Sequence, residues 1–163
     1  YRLGLGVLED DKEAVKWYVK SAEQGNVYSQ TNLGKMYDKG RGVEKDQQKA
    51  VKWYRKAAEQ GHAHAQASLG LAYYKGQGVL ENHVAAYAWF NIAAANGYSG
   101  AKTFNSIIAK EMTPNQNNEA QELSKELLKQ IEANKAEMPE PSDFPFAPRL
   151  DPRTGLPIWD KRK

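Results

Sequence analysis

Residues 33–61 read LGKMYDKGRGVEKDQQKAVKWYRKAAEQG, and most of their apolar and glycine positions recur 36 residues away. The recurrences are Gly-x-Gly-Val at 4–7, 40–43 and 76–79, an aromatic pair at 17–18, 53–54 and 89–90, and Leu-Gly at 33–34 and 69–70. A fixed period of this length predicts stacked units, each of which cannot bury its apolar face alone.

Each unit is predicted to begin with a helix, helix A. Ser29, Leu33 and Tyr37 recur at intervals of four residues, which places them on one helical face. Gly34 lies in the middle of this helix, where glycine costs up to ~1 kcal/mol relative to alanine. Its recurrence as Gly70 predicts that a second helix packs too closely at this point to leave room for a side chain.

The second helix, helix B, follows a glycine-containing loop. Gly40 is predicted to end helix A in the left-handed backbone conformation that glycine accepts. Asp46 is predicted to cap helix B, as Asp10 and Asn82 are in their units. Helix B is predicted to bury alternating small and aromatic residues, which in the second unit are Ala50, Trp53, Tyr54, Ala57 and Ala58.

The Gly40-Arg41-Gly42 loop also resembles part of a phosphate-binding loop. The complete fingerprints need a third glycine three positions later or a Gly-Lys-Ser/Thr ending, and neither follows here. Since the loop recurs in every unit, we interpret it as the hinge between the two helices, with Arg41 pointing to water.

The pattern resembles the Sel1-like repeat, a relative of the tetratricopeptide repeat, over roughly residues 1–134. The residues that carry the resemblance are Ser29, Leu33-Gly34, Tyr37, Gly40-Arg41-Gly42-Val43, Asp46, Ala50, Trp53-Tyr54-Arg55-Lys56-Ala57-Ala58 and Gly61. The resemblance implies an all-α fold, a right-handed superhelical solenoid with a concave binding face. It also implies a scaffold or adaptor function, often in bacterial envelopes.

Composition and motifs argue against several function classes. The chain has 163 residues, a net charge of +3 and no cysteine, so disulfides and thiolate sites are excluded. We predict no nucleic-acid partner and no membrane span. His62 and His64 lie two positions apart and do not face each other on a helix, and His83 is expected to be exposed. With no catalytic motif in the sequence, we predict no enzymatic activity, no cofactor and no metal.

The side of helix A that faces away from helix B varies between units while the core positions stay the same. Grooves of this type accept extended peptides or helices. We predict that this concave face binds another protein or peptide through Asn32, Lys35, Met36, Lys39, Ser68, Leu71 and Lys75. The recurring lysines of helix B are predicted to form a solvated convex face, and its Trp-Tyr columns to lie in the core.

The two ends depart from the repeat. The first unit lacks most of its helix A, so we expect the natural protein to extend further N-terminally, in a bacterial periplasm, envelope or cytoplasm. Thr113-Pro114-Asn115-Gln116 predicts the capped start of a closing helix, with Ala120, Leu123, Leu127 and Ile131 as its buried stripe. The predicted segments are 1–25, a truncated repeat; 26–61 and 62–97, complete repeats; 98–134, an atypical C-terminal cap; and 135–163, a proline-rich tail.

The tail contains six of the seven prolines and is therefore predicted to be extended. It also carries aromatic residues that a purely solvated linker lacks. We predict that Phe144, Phe146 and Trp159 dock the tail onto its own repeats, onto a second copy of the chain or onto a partner, the alternative being a flexible linker.

Three functions fit this sequence, and we predict the first. It is a scaffold or adaptor that binds a protein on the concave face. The second is an inhibitor, such as an immunity protein that binds one bacterial toxin. The third is binding or hydrolysis of cell-wall fragments, as implied by cysteine-rich Sel1-like relatives, and the lack of cysteine argues against close kinship with that group.

Overall fold

The computed structural model describes residues 3–137, with side chains from Asp10 onward, and all the regular structure in that range is helical. The helices are α1 Leu3–Glu23, α2 Val27–Lys39, α3 Gln47–Glu59, α4 Ala63–Lys75, α5 His83–Ala95, α6 Ala101–Glu111 and α7 Pro114–Glu137. Helix α7 continues three residues into the segment predicted as tail. The predicted tail contacts Phe144, Phe146 and Trp159 lie outside the described residues.

The helices form the predicted solenoid of antiparallel pairs. Helices α2 and α3 make one A/B pair, and α4 and α5 make the next. Each B helix also packs against the following A helix, α1 against α2 and α3 against α4, so the core runs continuously from unit to unit. Among the described helices, none combines the length and the hydropathy that a membrane span needs.

The loop between helices A and B has the predicted geometry in the complete repeats. Gly40 has φ 65° and its N–H donates to Met36 O, which ends α2. The Asp46 side chain accepts a hydrogen bond from the Lys49 N–H at 2.9 Å and caps α3. Asn82 caps α5 in the same way. The hinge interpretation is therefore confirmed.

The first unit departs from this arrangement. Helix α1 runs without a break through Gly4, Gly6 and Asp10, so the prediction that Asp10 caps a helix is wrong. In the second unit, helix A holds the loop, since the Asp46 N–H donates to Tyr37 O at 2.9 Å. No helix A precedes this segment within the described residues, and helix B continues upstream instead.

The mid-helix glycines lie where the two helices of a pair approach most closely. A Cβ atom at Gly34 would lie 2.6 Å from Tyr54 Cε1, and one at Gly70 would lie 3.0 Å from Phe90 Cδ2. These distances are shorter than ordinary van der Waals contacts. The prediction of a close approach at both glycines is confirmed.

The tryptophan column is not uniformly buried. Trp89 is 3% exposed, Trp53 is half-buried and Trp17 is 46% exposed. Trp53 packs against a cluster that includes Val15 and Ala22 of α1. The described part of the chain contains no helix B before α1 that would cover Trp17 in the same way. The predicted core role is confirmed for Trp89 and wrong for Trp17.

Helix α7 closes the C-terminal end of the core. The Thr113 N–H donates to Gln116 Oε1 at 2.9 Å, and the Gln116 N–H donates to Thr113 Oγ1 at 3.3 Å, which is the predicted capping box. The helix packs along α5 and reaches α3. Ala120 and Ile131 are buried, while Leu123 and Leu127 of the predicted stripe are half-buried.

Two buried glutamines, not predicted from the sequence, connect the repeats. Gln66 is fully buried, its Nε2 donates to Ala58 O at 3.0 Å, and its Oε1 accepts from Asn96 Nδ2 at 3.0 Å. Gln30 makes the equivalent pair of bonds one repeat earlier, at 3.1 and 2.7 Å. Each glutamine thus joins its helix A to the helix B before it and to the end of the helix B after it. The 36-residue spacing of Gln30 and Gln66 is the feature of the sequence that could have identified them.

Candidate interaction groove

Two adjacent pockets open along the A helices. The first, about 460 Å³, lies between α1 and α2, and the second, about 280 Å³, lies among α2, α3 and α4. Lys39 lines both, so we treat them as one groove. All seven residues predicted for the concave face line it, with Asn32, Lys35 and Met36 in the first pocket, Ser68, Leu71 and Lys75 in the second, and Lys39 in both.

The two pockets are repeat copies of each other. Tyr18 and Tyr54 occupy equivalent positions, and each phenol interacts with the equivalent polar side chain of the next A helix, Asn32 or Ser68. Burial raises the pKa of both phenols, so both hydroxyls remain protonated at neutral pH. Each pocket therefore offers a neutral hydroxyl that can donate or accept a hydrogen bond.

Arg41, at the edge of the first pocket, does not simply point to water as predicted. Its Nη2 donates to Asp11 Oδ1 at 3.0 Å and its Nε donates to Asp11 Oδ2 at 3.4 Å. Such two-pronged geometry is the strong form of an arginine–carboxylate contact. The bond ties the loop of one repeat to the helix B of the repeat before it and neutralises both charges.

The groove has an excess of positive charge. Lys35, Lys45 and Lys75 have no carboxylate within ion-pair distance among the described residues, and Lys39 pairs only with its neighbour Asp38 at 3.1 Å. Counted over the described residues that line the two pockets, five cations face three carboxylates, a net charge of +2. The cations are Lys35, Lys39, Arg41, Lys45 and Lys75, and the carboxylates are Asp10, Asp11 and Asp38.

The equivalent position one repeat further on is closed. Phe104 takes the place of Ser68, and its ring stacks on Phe90 at a centroid distance of 4.6 Å and an interplanar angle of 4°. Fully buried Ile108 takes the place of Ala72. Helix α6 thus fills with its own side chains the space that stays open in the second pocket.

Charge is also reversed at this closed position. Glu81 and Glu111 replace Lys45 and Lys75. His83 lies between them, with Nε2 3.1 Å from Glu81 Oε1 and Nδ1 3.6 Å from Glu111 Oε2. The expectation that His83 is exposed is wrong, because its side chain is half-buried in this contact.

The other two histidines lie at the start of α4. His62 caps the helix, with Nδ1 accepting from the Ala65 N–H at 3.4 Å and lying 3.0 Å from Thr31 Oγ1. Burial lowers the pKa of His62 to about 4, assisted by nearby His64 and Lys35. The rings of His62 and His64 are 5.9 Å apart and tilted. No cluster of three or more potential metal ligands occurs between residues 10 and 137.

Comparison with known proteins supports the architecture. The chain is 36% identical to a protective antigen of uropathogenic Escherichia coli strains that displays an SLR fold, with a TM-score of 0.73 over 87% of this chain and 32% of that one. It is 43% identical to a Sel1 repeat protein from Oxalobacter formigenes, with a TM-score of 0.58 over 59% of this chain and 40% of that one. The chain therefore spans well under half of either protein. No curated protein gives a significant match.

The family match covers the three N-terminal units. The Sel1 repeat matches residues 1–26, 27–62 and 63–98. Proteins built from this repeat generally mediate protein–protein interactions and are typically non-catalytic scaffolds. With more than half of its length matched and two solved structures of the same type, the chain belongs to the Sel1 repeat family.

Proposed function

We propose that the chain is a non-enzymatic scaffold or adaptor that binds a segment of another protein in the groove formed by the two pockets. The observation that supports this most is the continuity of the groove. The two pockets share Lys39, repeat the same floor, and differ at the side chains that line them. An extended segment that follows the stacking direction would meet both pockets in turn.

The groove offers hydrogen-bond donors and acceptors to a polypeptide backbone. A bound segment brings N–H and C=O groups that must be hydrogen-bonded when they leave water. The second pocket supplies the hydroxyls of Tyr54 and Ser68 and the amides of Gln47 and Gln77, all within its lining. Leu71 and Val51 add apolar surface beside these polar groups, as binding sites for peptides require.

A selection from a library of displayed twelve-residue peptides tests the proposal. Peptides selected on the wild-type chain are then measured against Ser68→Phe, which copies the natural Phe104 and fills the second pocket. We expect at least a tenfold loss of affinity, about 1.4 kcal/mol or more. Lys52→Phe, on the exposed surface of α3, is the control and should bind normally. Equal affinity for Ser68→Phe and wild type would place the binding surface elsewhere.

A further inference from the structure

We infer that the second pocket is a carboxylate site, and that the protein segment bound in the groove is acidic; this inference rests on the proposed function. Lys45 and Lys75 both line the pocket, and both are exposed. Neither ammonium group has a carboxylate partner among the described residues. A groove whose own charges leave cations uncompensated attracts a segment of opposite charge.

The closed position of the next unit shows what these two positions can hold. There, the equivalent residues are Glu81 and Glu111, and a single imidazole lies between their carboxylates, 3.1 and 3.6 Å away. The backbone of the repeat thus places the two side chains around one small group, and in the second pocket the residue equivalent to His83 is Gln47, whose amide lines the pocket beside the two lysines. With lysines at the same two positions, the group of matching size and charge is a carboxylate.

The floor of the pocket favours a carboxylate over a dianionic phosphate. The Tyr54 and Ser68 hydroxyls interact with each other, which leaves the pair one hydroxyl hydrogen to donate to a singly charged acceptor. Asp38 also lines the pocket, and its charge helps to raise the pKa of Tyr54 after the effect of burial. Asp38 would repel a second negative charge on the ligand, whereas it can accept a hydrogen bond from a peptide N–H.

The first pocket is expected to favour acidic residues of the bound segment as well. Lys39 is the repeat copy of Lys75, and Lys35 lies beside it without an ion-pair partner in the described chain. Beyond the second pocket, Glu81 and Glu111 present negative charge to any acidic segment that continues in that direction. The groove is therefore expected to accept acidic residues over two pockets and to stop at the fourth unit.

A fluorescein-labelled peptide (Glu-Ser)5 tests the inference by fluorescence anisotropy, with (Gln-Ser)5 as the uncharged control. We expect the Glu peptide to bind at least ten times more tightly, and the difference to shrink as salt rises. Lys45→Glu with Lys75→Glu should weaken Glu-peptide binding at least tenfold. Lys52→Glu with Lys129→Glu changes the net charge equally on exposed positions outside the groove and should leave most of the affinity intact.

A charge-reversed peptide guards against a folding artefact. The Lys45→Glu, Lys75→Glu variant copies the charges of Glu81 and Glu111, so it should bind (Lys-Ser)5 more tightly than the wild-type chain does. Equal binding of the Glu and Gln peptides, or equal weakening by both charge variants, would overturn the inference. If library-selected peptides still lose affinity for Ser68→Phe but are not acidic, the proposed function stands and only the acidic preference fails.

Discussion

The second pocket and the closed position of the next unit have the same backbone arrangement, but the first is open and the second is filled by side chains. Both have a small residue at the base of helix B, an aromatic ring above it, and two ionisable side chains at the rim. Ser68 leaves the first of them open, and Phe104 fills the second by stacking on Phe90. Two or three side chains per repeat therefore decide whether a Sel1 unit has an open pocket or a filled core at this position.

Opening the closed position should have the largest effect on stability. Phe104→Ser copies Ser68 and removes the ring that stacks on Phe90. Because Phe104 is half-buried, we expect a loss of about 2–3 kcal/mol, below the 3–5 typical of fully buried phenylalanine. Urea denaturation followed by circular dichroism measures it. Ser68→Phe is the reciprocal control and should cost less than 1 kcal/mol, since its ring would enter an existing pocket.

The buried glutamines belong to the helices A of the two open pockets, Gln30 in α2 and Gln66 in α4, whereas the equivalent residue at the closed position is the exposed Lys102. Gln66→Ala leaves Ala58 O and Asn96 Nδ2 without their partner, which we expect to cost about 2 kcal/mol. Denaturant midpoints give the measurement. Exposed Gln48→Ala should change the free energy of unfolding by less than ~0.5 kcal/mol. A similar loss in both variants would show that the glutamine bonds contribute little.

The distance between the paired helices at the mid-helix glycine differs slightly between the two complete repeats, α2–α3 and α4–α5. Gly34→Ala places a methyl group against the Tyr54 ring, at 2.6 Å, while Gly70→Ala places it 3.0 Å from Phe90. We expect Gly34→Ala to lower the free energy of unfolding by about 1–2 kcal/mol, a steric cost partly offset by the better helix propensity of alanine. Gly70→Ala should cost less. The reverse order in thermal unfolding would contradict the geometry.

The smallest expected effect is a pH dependence located at His62. Its pKa is about 4 in the folded chain and near 6.5 when unfolded, so the unfolded state binds more protons between these values. Stability should therefore fall as pH falls from 6.5 to 4, by about 1 kcal/mol after allowance for solvent screening. His62→Asn copies the Asn26 cap of α2 and should remove this slope. An unchanged slope would assign it to other groups.

The repeat made most of the fold predictable from the sequence. Contacts that recur with the period, such as Gly34 against Tyr54 and the cap made by Asp46, have surroundings that the period itself specifies. The predictions that were wrong concern residues whose neighbouring helix, within the described range, is missing or different from that of their repeat copies. Trp17 is 46% exposed where Trp89 is buried, and Asp10 lies inside the continuous helix α1 and not at its start.

Only part of the candidate site was predictable from the sequence. Variation between the units identified the surface that lines the groove, because positions outside the core are free to change. The pairing of Arg41 with Asp11 and the enclosure of His83 by Glu81 and Glu111 were not predictable in this way. Both contacts join residues that are distant in sequence or specific to one unit, so their meeting depends on how the repeats stack.

We propose that the groove binds polypeptide at the open pockets and not at the closed position. A photoreactive amino acid in place of Leu71, or in place of its repeat copy Ile107, tests it directly. Both positions lie on the same face of an A helix, and Ile107 is 44% exposed. We predict that a library-selected peptide cross-links to the chain modified at 71 and much less to the chain modified at 107. Equal cross-linking at both positions, or preference for 107, would contradict the account.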